Sequence, residues 1–87
     1  MLRMTRAVTD GIETVVLEGK LLSPWVDALR AEVESATNEQ CPIRVSLEAL
    51  TFVDAEGARQ ILELERRGIE LLGGTALIRG LLDQQRP

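Results

Sequence analysis

The sequence contains no histidine and no tyrosine, and Trp25 and Phe52 are its only aromatic residues. Without His the commonest general base is gone, and with it the Ser-His and Cys-His pairs and nearly all zinc and copper sites. No metal or cofactor site is expected. Two rings make no ladder on which bases could stack, so a single-stranded nucleic acid is a poor candidate partner. Cys41, the lone cysteine, has no intrachain disulfide partner, and its neighbour Pro42 places it in a connecting segment rather than in a ligand spacing. That pattern fits a reducing cytoplasm. No apolar run approaches the roughly 18 residues of a membrane span, and no stretch of signal-peptide length follows Met1–Arg6 before Asp10 and Gly11. Neither export nor membrane insertion is expected. None of the seven glycines falls in a G-x-G-x-x-G or P-loop spacing. Positive charge is also scarce: ten Lys plus Arg against fourteen Asp plus Glu give a formal charge of −4, which works against nucleic acid and anionic lipid alike.

What is present describes a chain that folds. The apolar fraction is 45% and the charged fraction 28%, close to the globular average and far from the disordered extreme. A chain of 87 residues buries only about 60 to 65% of its unfolded surface, too little to divide into two cores, so residues 1–87 read as a single domain.

Leu2, Met4, Arg6 and Val8 alternate with Arg3, Thr5 and Ala7, and Ile12 to Glu18 is rich in β-branched residues. Asp10-Gly11 between them tolerates the positive φ angles of a tight turn, which predicts a β-hairpin whose second strand closes at Gly19. Ser23-Pro24 supplies an N-cap and a first-position proline, so a helix is expected from Pro24 to about Thr37, with Val26, Leu29, Val33 and Ala36 as its apolar stripe. Asn38 to Pro42 reads as a loop, and Ile43, Val45 and Leu47 as the dry face of a strand. After Thr51-Phe52-Val53, Asp54 can cap a helix from Ala55 to about Arg67, stopped by Gly68 and carrying Ala58, Ile61, Leu62 and Leu64 inward. Ile69 to Leu72 forms a short strand ended by Gly73-Gly74. Thr75 caps a last helix in which Leu77, Ile78, Leu81 and Leu82 form two i, i+4 pairs, weakened by Gly80. The order is β-β-α-β-α-β-α, which argues for an α/β fold with a mostly parallel sheet begun by an antiparallel hairpin.

Carboxylates recur in pairs at Glu32/Glu34, Glu63/Glu65 and Asp54/Glu56. The first two pairs lie two apart on helices and point away from each other, which suits solvated faces better than a shared substrate. Asp54 and Glu56 differ, because a strand-to-helix junction brings backbone N–H groups and the helix dipole together there. Asp54 reads first as a cap worth about 1 kcal/mol. Gly57 suits close packing of helix on sheet. Trp25 either covers the edge of a small core or stands out as an anchor for a partner.

Phe52-Val53-Asp54-Ala55-Glu56-Gly57 resembles the D-S-S-G or D-S-T-G junction of STAS domains, the module of bacterial anti-sigma-factor antagonists that also occurs in sulfate-type transporters and in a lipid-trafficking complex. Leu17, Gly19 and Leu21 match that family's L-x-G-x-L, Val45-Ser46-Leu47 matches its central strand, and Gly68, the strand from Ile69 and the helix from Thr75 follow in family order. The resemblance spans nearly the whole chain, without the family's final C-terminal element, and implies helices packed on one face of the sheet.

Two departures bear on function. Where switchable antagonists carry a Ser that a kinase phosphorylates, this chain has Ala55, and the next hydroxyl position is Glu56, a carboxylate crudely similar to a fixed negative charge. The resemblance therefore implies a non-catalytic module that binds a protein partner, of the anti-sigma-factor or kinase kind or within a transport complex, and lacks the phosphorylation switch. The surface implied is Asp54, Ala55, Glu56 and Gly57 with the turn at Ser23 and Trp25. A STAS module that binds a small ligand or nucleotide is the alternative, and a small enzyme using Asp54 and Glu56 is a weaker one. The short chain and the Leu-rich last helix predict a homodimer.

Overall fold

The computed structural model describes residues 2–37 and 42–87. Among these, the chain forms β1 (Leu2–Thr9), β2 (Ile12–Leu21), a 3-10 turn (Ser23–Trp25), α1 (Val26–Thr37), β3 (Ile43–Val53), α2 (Ala55–Arg66), β4 (Glu70–Leu72) and α3 (Ala76–Gln85). The four strands form one sheet in the order β1-β2-β3-β4. The β1–β2 pair is antiparallel, and β2–β3 and β3–β4 are parallel. Element order and strand directions thus agree with the sequence reading. Asp10 and Gly11 take φ of 54° and 77°, as the two-residue turn between Thr9 and Ile12 requires.

All three helices pack on one face of the sheet. Val15 and Leu17 of β2 lie beside Val45 and Leu47 of β3 on that face, and they meet Leu29 and Val33 of α1, Ala58, Ile61 and Leu64 of α2, and Ile78 and Leu82 of α3 in one buried cluster. The expected stripe of α1 is buried throughout. On α3 the Ile78–Leu82 pair is buried, whereas Leu77 is 57% exposed and belongs to the outer side, because only one row of a helix ten residues long can face the sheet.

Several boundaries move. Gly19 does not close β2: the strand runs on to Leu21 through two register shifts against β3, between Val16 and Glu18 and between Gly19 and Lys20. Gly19 has a φ of 97°, the conformation that a bulge can place on a glycine at little cost, and its carbonyl accepts a hydrogen bond of 2.9 Å from Thr51 Oγ1 on β3. Matching that extension, β3 continues through Thr51, Phe52 and Val53, which are strand rather than approach. Ser23 to Trp25 form a 3-10 turn, so α1 begins at Val26 instead of Pro24, and the N-cap of the turn is Leu22, with no side-chain cap. Arg67 caps α2 instead of ending it, and β4 starts at Glu70. Thr75 caps α3 as expected, its hydroxyl accepting from Ile78 N–H at 3.2 Å. The loop expected over Asn38–Cys41 lies outside the described residues.

Candidate functional site

The C-terminal ends of the parallel strands β2 and β3 lie side by side, Leu21 next to Val53, and each leads into a turn that starts a helix. Asp54 joins the two. Its Oδ1 accepts from Gly57 N–H at 2.8 Å and caps α2, while its Oδ2 accepts from Ser23 N–H at 2.7 Å across the 3-10 turn. Its own N–H donates to Leu21 carbonyl oxygen at 3.2 Å. A carboxylate is the side chain that can accept on both oxygens at once, which accounts for Asp here over the Ser or Thr that would cap equally well. Asp54→Ala is expected to cost about 2 kcal/mol in denaturant melts, since a lost cap and a lost charge-assisted bond to Ser23 add, with some relief from water because the group is half-buried. A loss below about 0.5 kcal/mol would show that neither bond carries stability.

Ser23, Gly57 and Asp54, singled out from sequence, are therefore brought into direct contact. Gly57 is buried, and a Cβ built on it would stand 2.5 Å from Leu21 carbonyl oxygen and 3.0 Å from Leu21 Cγ, so the first turn of α2 lies against the end of β2 with no space for a side chain. Ala55 and Glu56 face solvent. Glu56 is not a bare charge: it forms an ion pair with Arg59 one turn along α2, and Arg59 also donates to Gln85 Oε1 of α3 at 3.2 Å. Trp25 ends the 3-10 turn, its N–H bonded to Leu22 carbonyl oxygen at 2.8 Å, with 37% of its surface exposed. It is one of the exposed large apolar residues.

Phe52, 38% exposed, was legible only as an apolar residue near the junction; the structure puts it in a cleft of about 290 Å³ with Ala55, Ala58, Leu81 and Gln84. The cleft adjoins Asp54, and its far wall is α3, whose position no local signal in the sequence gives. A second open cleft, of about 400 Å³, lies between α2 and the end of α3 along Arg59, Leu62, Glu65 and Arg86. Arg86 there bonds Glu65 at 2.8 Å and Asp83 at 3.0 Å, and these two hydrogen bonds, the one to Glu65 first, hold its guanidinium above the usual arginine range. Glu63 is likewise engaged, with Arg66 at 2.6 Å.

Sequence reasoning passed over Glu13. Its side chain is in the core face of β2, the residue is 1% exposed, and Oε1 is bound by Arg6 of β1. Arg6 also reaches Ser35 Oγ of α1 at 3.2 Å and Glu32 at 3.6 Å. Glu13 Oε2 has no hydrogen-bond partner among the described residues. The signal was present, because Arg6 and Glu13 share the parity of Met4, Val15 and Leu17.

No protein-family model and no curated protein sequence matches the chain. Solved structures do. An anti-sigma factor antagonist from Mycobacterium paratuberculosis superposes with a TM-score of 0.75 at 17% identity, over 100% of this chain and 84% of that one. The anti-sigma factor antagonist SpoIIAA in its unphosphorylated form gives 0.64 at 24% identity, over 95% and 82%. An uncharacterised Shewanella loihica protein with a SpoIIAA-like fold gives 0.60 at 14% identity, over 87% and 69%.

Proposed function

From a chain with the SpoIIAA-like fold of these antagonists, we propose a regulatory module that acts by protein-protein contact, with no catalysis of its own and no phosphorylation switch at the start of α2. The observation that carries this reading is the Asp54 bridge, which makes the exposed residues of two turns, Ser23, Pro24 and Trp25 on one side and Ala55 and Glu56 on the other, a single surface. Both Asp54 oxygens are occupied by backbone N–H groups and Glu56 is occupied by Arg59, which leaves the two carboxylates poorly placed for shared acid-base work. Ala55 presents a methyl group where a kinase would need a hydroxyl. The partner class that the fold suggests is an anti-sigma factor, and it would be bound constitutively.

The test is a binding titration against the anti-sigma factors encoded in the same genome. Glu56→Lys sets a cation beside Arg59 at the proposed surface and is expected to weaken binding at least tenfold, while leaving stability within about 1 kcal/mol because the site is exposed. Glu34→Lys on α1 changes net charge equally and should leave affinity unchanged. Equal weakening by both would reduce the effect to general electrostatics, and no weakening by Glu56→Lys would move the surface elsewhere.

A further inference from the structure

We propose that the outer edge of β1 pairs with the same edge of a second copy of this chain, antiparallel and centred on Thr5. β1 is the outermost strand on its side, eight residues long and paired to β2 without a bulge, whereas the opposite edge strand, β4, has three residues. Long edges are ordinarily blunted by proline, a bulge or inward-pointing charge. Leu2–Thr9 contains no proline, and its inward-pointing cation, Arg6, is neutralised by Glu13.

The hairpin fixes which backbone groups that edge offers. Thr9 and Ile12 close a two-residue turn and exchange both ladder bonds, and antiparallel alternation then bonds Ala7, Thr5 and Arg3 to β2. The backbone N–H and C=O groups of Leu2, Met4, Arg6 and Val8 therefore point outward. A second β1 can join only by matching even residues with even ones. Centring on Arg6 would oppose two guanidinium groups, and centring on Met4 would leave Val8 beyond the ladder. Centring on Thr5 sets Leu2 against Val8, Met4 against Arg6, Arg3 against Ala7 and Thr5 against itself. No like charges then face each other directly, and Val8, 61% exposed and the most exposed of the large apolar residues described, is covered by Leu2 of the second copy. The two sheets become one of eight strands with both helical layers on the same side. The dimer expected from sequence thus forms through β1 and not through α3, whose Ile78 and Leu82 are spent on the core.

In a Cys41→Ser background, Thr5→Cys is expected to give a disulfide-linked dimer under mild oxidation, since Thr5 and its copy form a close non-hydrogen-bonded pair. Ala7→Cys, offset from its own copy, should dimerise without forming the cross-link. Val8→Pro removes an outward N–H without taking a bond from β2, and should raise the dimer Kd in sedimentation at least tenfold. The proposal is overturned by a wild-type monomer at the highest concentration reached, by equal cross-linking or none at positions 5 and 7, or by a Val8→Pro dimer as tight as wild type. Association through β1 with an unrelated extended peptide in place of a second copy would overturn it too.

Discussion

Gly57→Ala should destabilise the protein by about 2 to 4 kcal/mol, which for a domain of this size lowers Tm by roughly 10 to 25 °C. Helix propensity predicts the opposite sign, since Ala in a helix is favoured over Gly by about 1 kcal/mol. Sterics decide the matter. The new methyl would lie 2.5 Å from a backbone oxygen, that of Leu21, and an oxygen held in a sheet cannot swing aside as the end of a flexible side chain can. Moving α2 outward to relieve the clash stretches the Asp54 N–H bond to that same oxygen and the Gly57 N–H bond to Asp54 Oδ1. Gly80→Ala on α3 is the control: nothing lies within 4 Å of its added Cβ, so propensity alone acts and stability should rise by roughly 0.5 to 1 kcal/mol. Calorimetry showing both variants shifted upward would mean that α2 does not lie against β2 as described.

The second large effect belongs to Arg6. Arg6→Ala leaves the Glu13 carboxylate in the core with no cation, and stranding one member of a buried pair costs about 3 to 5 kcal/mol. The lower end applies here, because a quarter of the Arg6 side chain still meets solvent and water can enter where it stood. Replacing both partners, Arg6→Met with Glu13→Leu, removes the charge and keeps the volume, and should return stability to within about 1 kcal/mol of wild type or above it. The double-mutant cycle in urea separates the two accounts. Additive losses would show that the pair is incidental to the hairpin, whereas a coupling of roughly 2 kcal/mol or more would show that each charge is tolerated only because of the other.

How much of this could be read from residues alone depended on the range of the interaction that decided it. The Asp10-Gly11 turn, the Asp54 and Thr75 caps and the stripes of α1 and α2 rest on neighbours within about one helical turn, and each is where the sequence places it. Gly19 was misplaced as a terminator because a glycine at a strand end and one in a bulge look alike locally; what distinguishes them is β3, whose buried residues slip from Val45 and Leu47 to Leu50 and Val53 as the two strands shift register. The Ser23 N–H bond to Asp54 joins residues far apart in the chain, so the cap was legible and the bridge was not. Likewise, alternation put Arg6 on the apolar face, but only the antiparallel register brings Glu13 diagonal to it.

That bridge also changes the entropy of association. Two independent turns would each have to be immobilised when a partner docks, at a cost of about 0.5 to 1.5 kcal/mol for every rotamer-rich side chain that is ordered. Here Ser23 and Gly57 donate to one carboxylate, so folding has already set the separation and relative orientation of their backbones. On the proposed reading, a partner would meet a template of fixed shape, and the free energy of its contacts would go into affinity and not into ordering the turns. Loosening the Asp54 bridge would then weaken binding even where no contacting atom had changed.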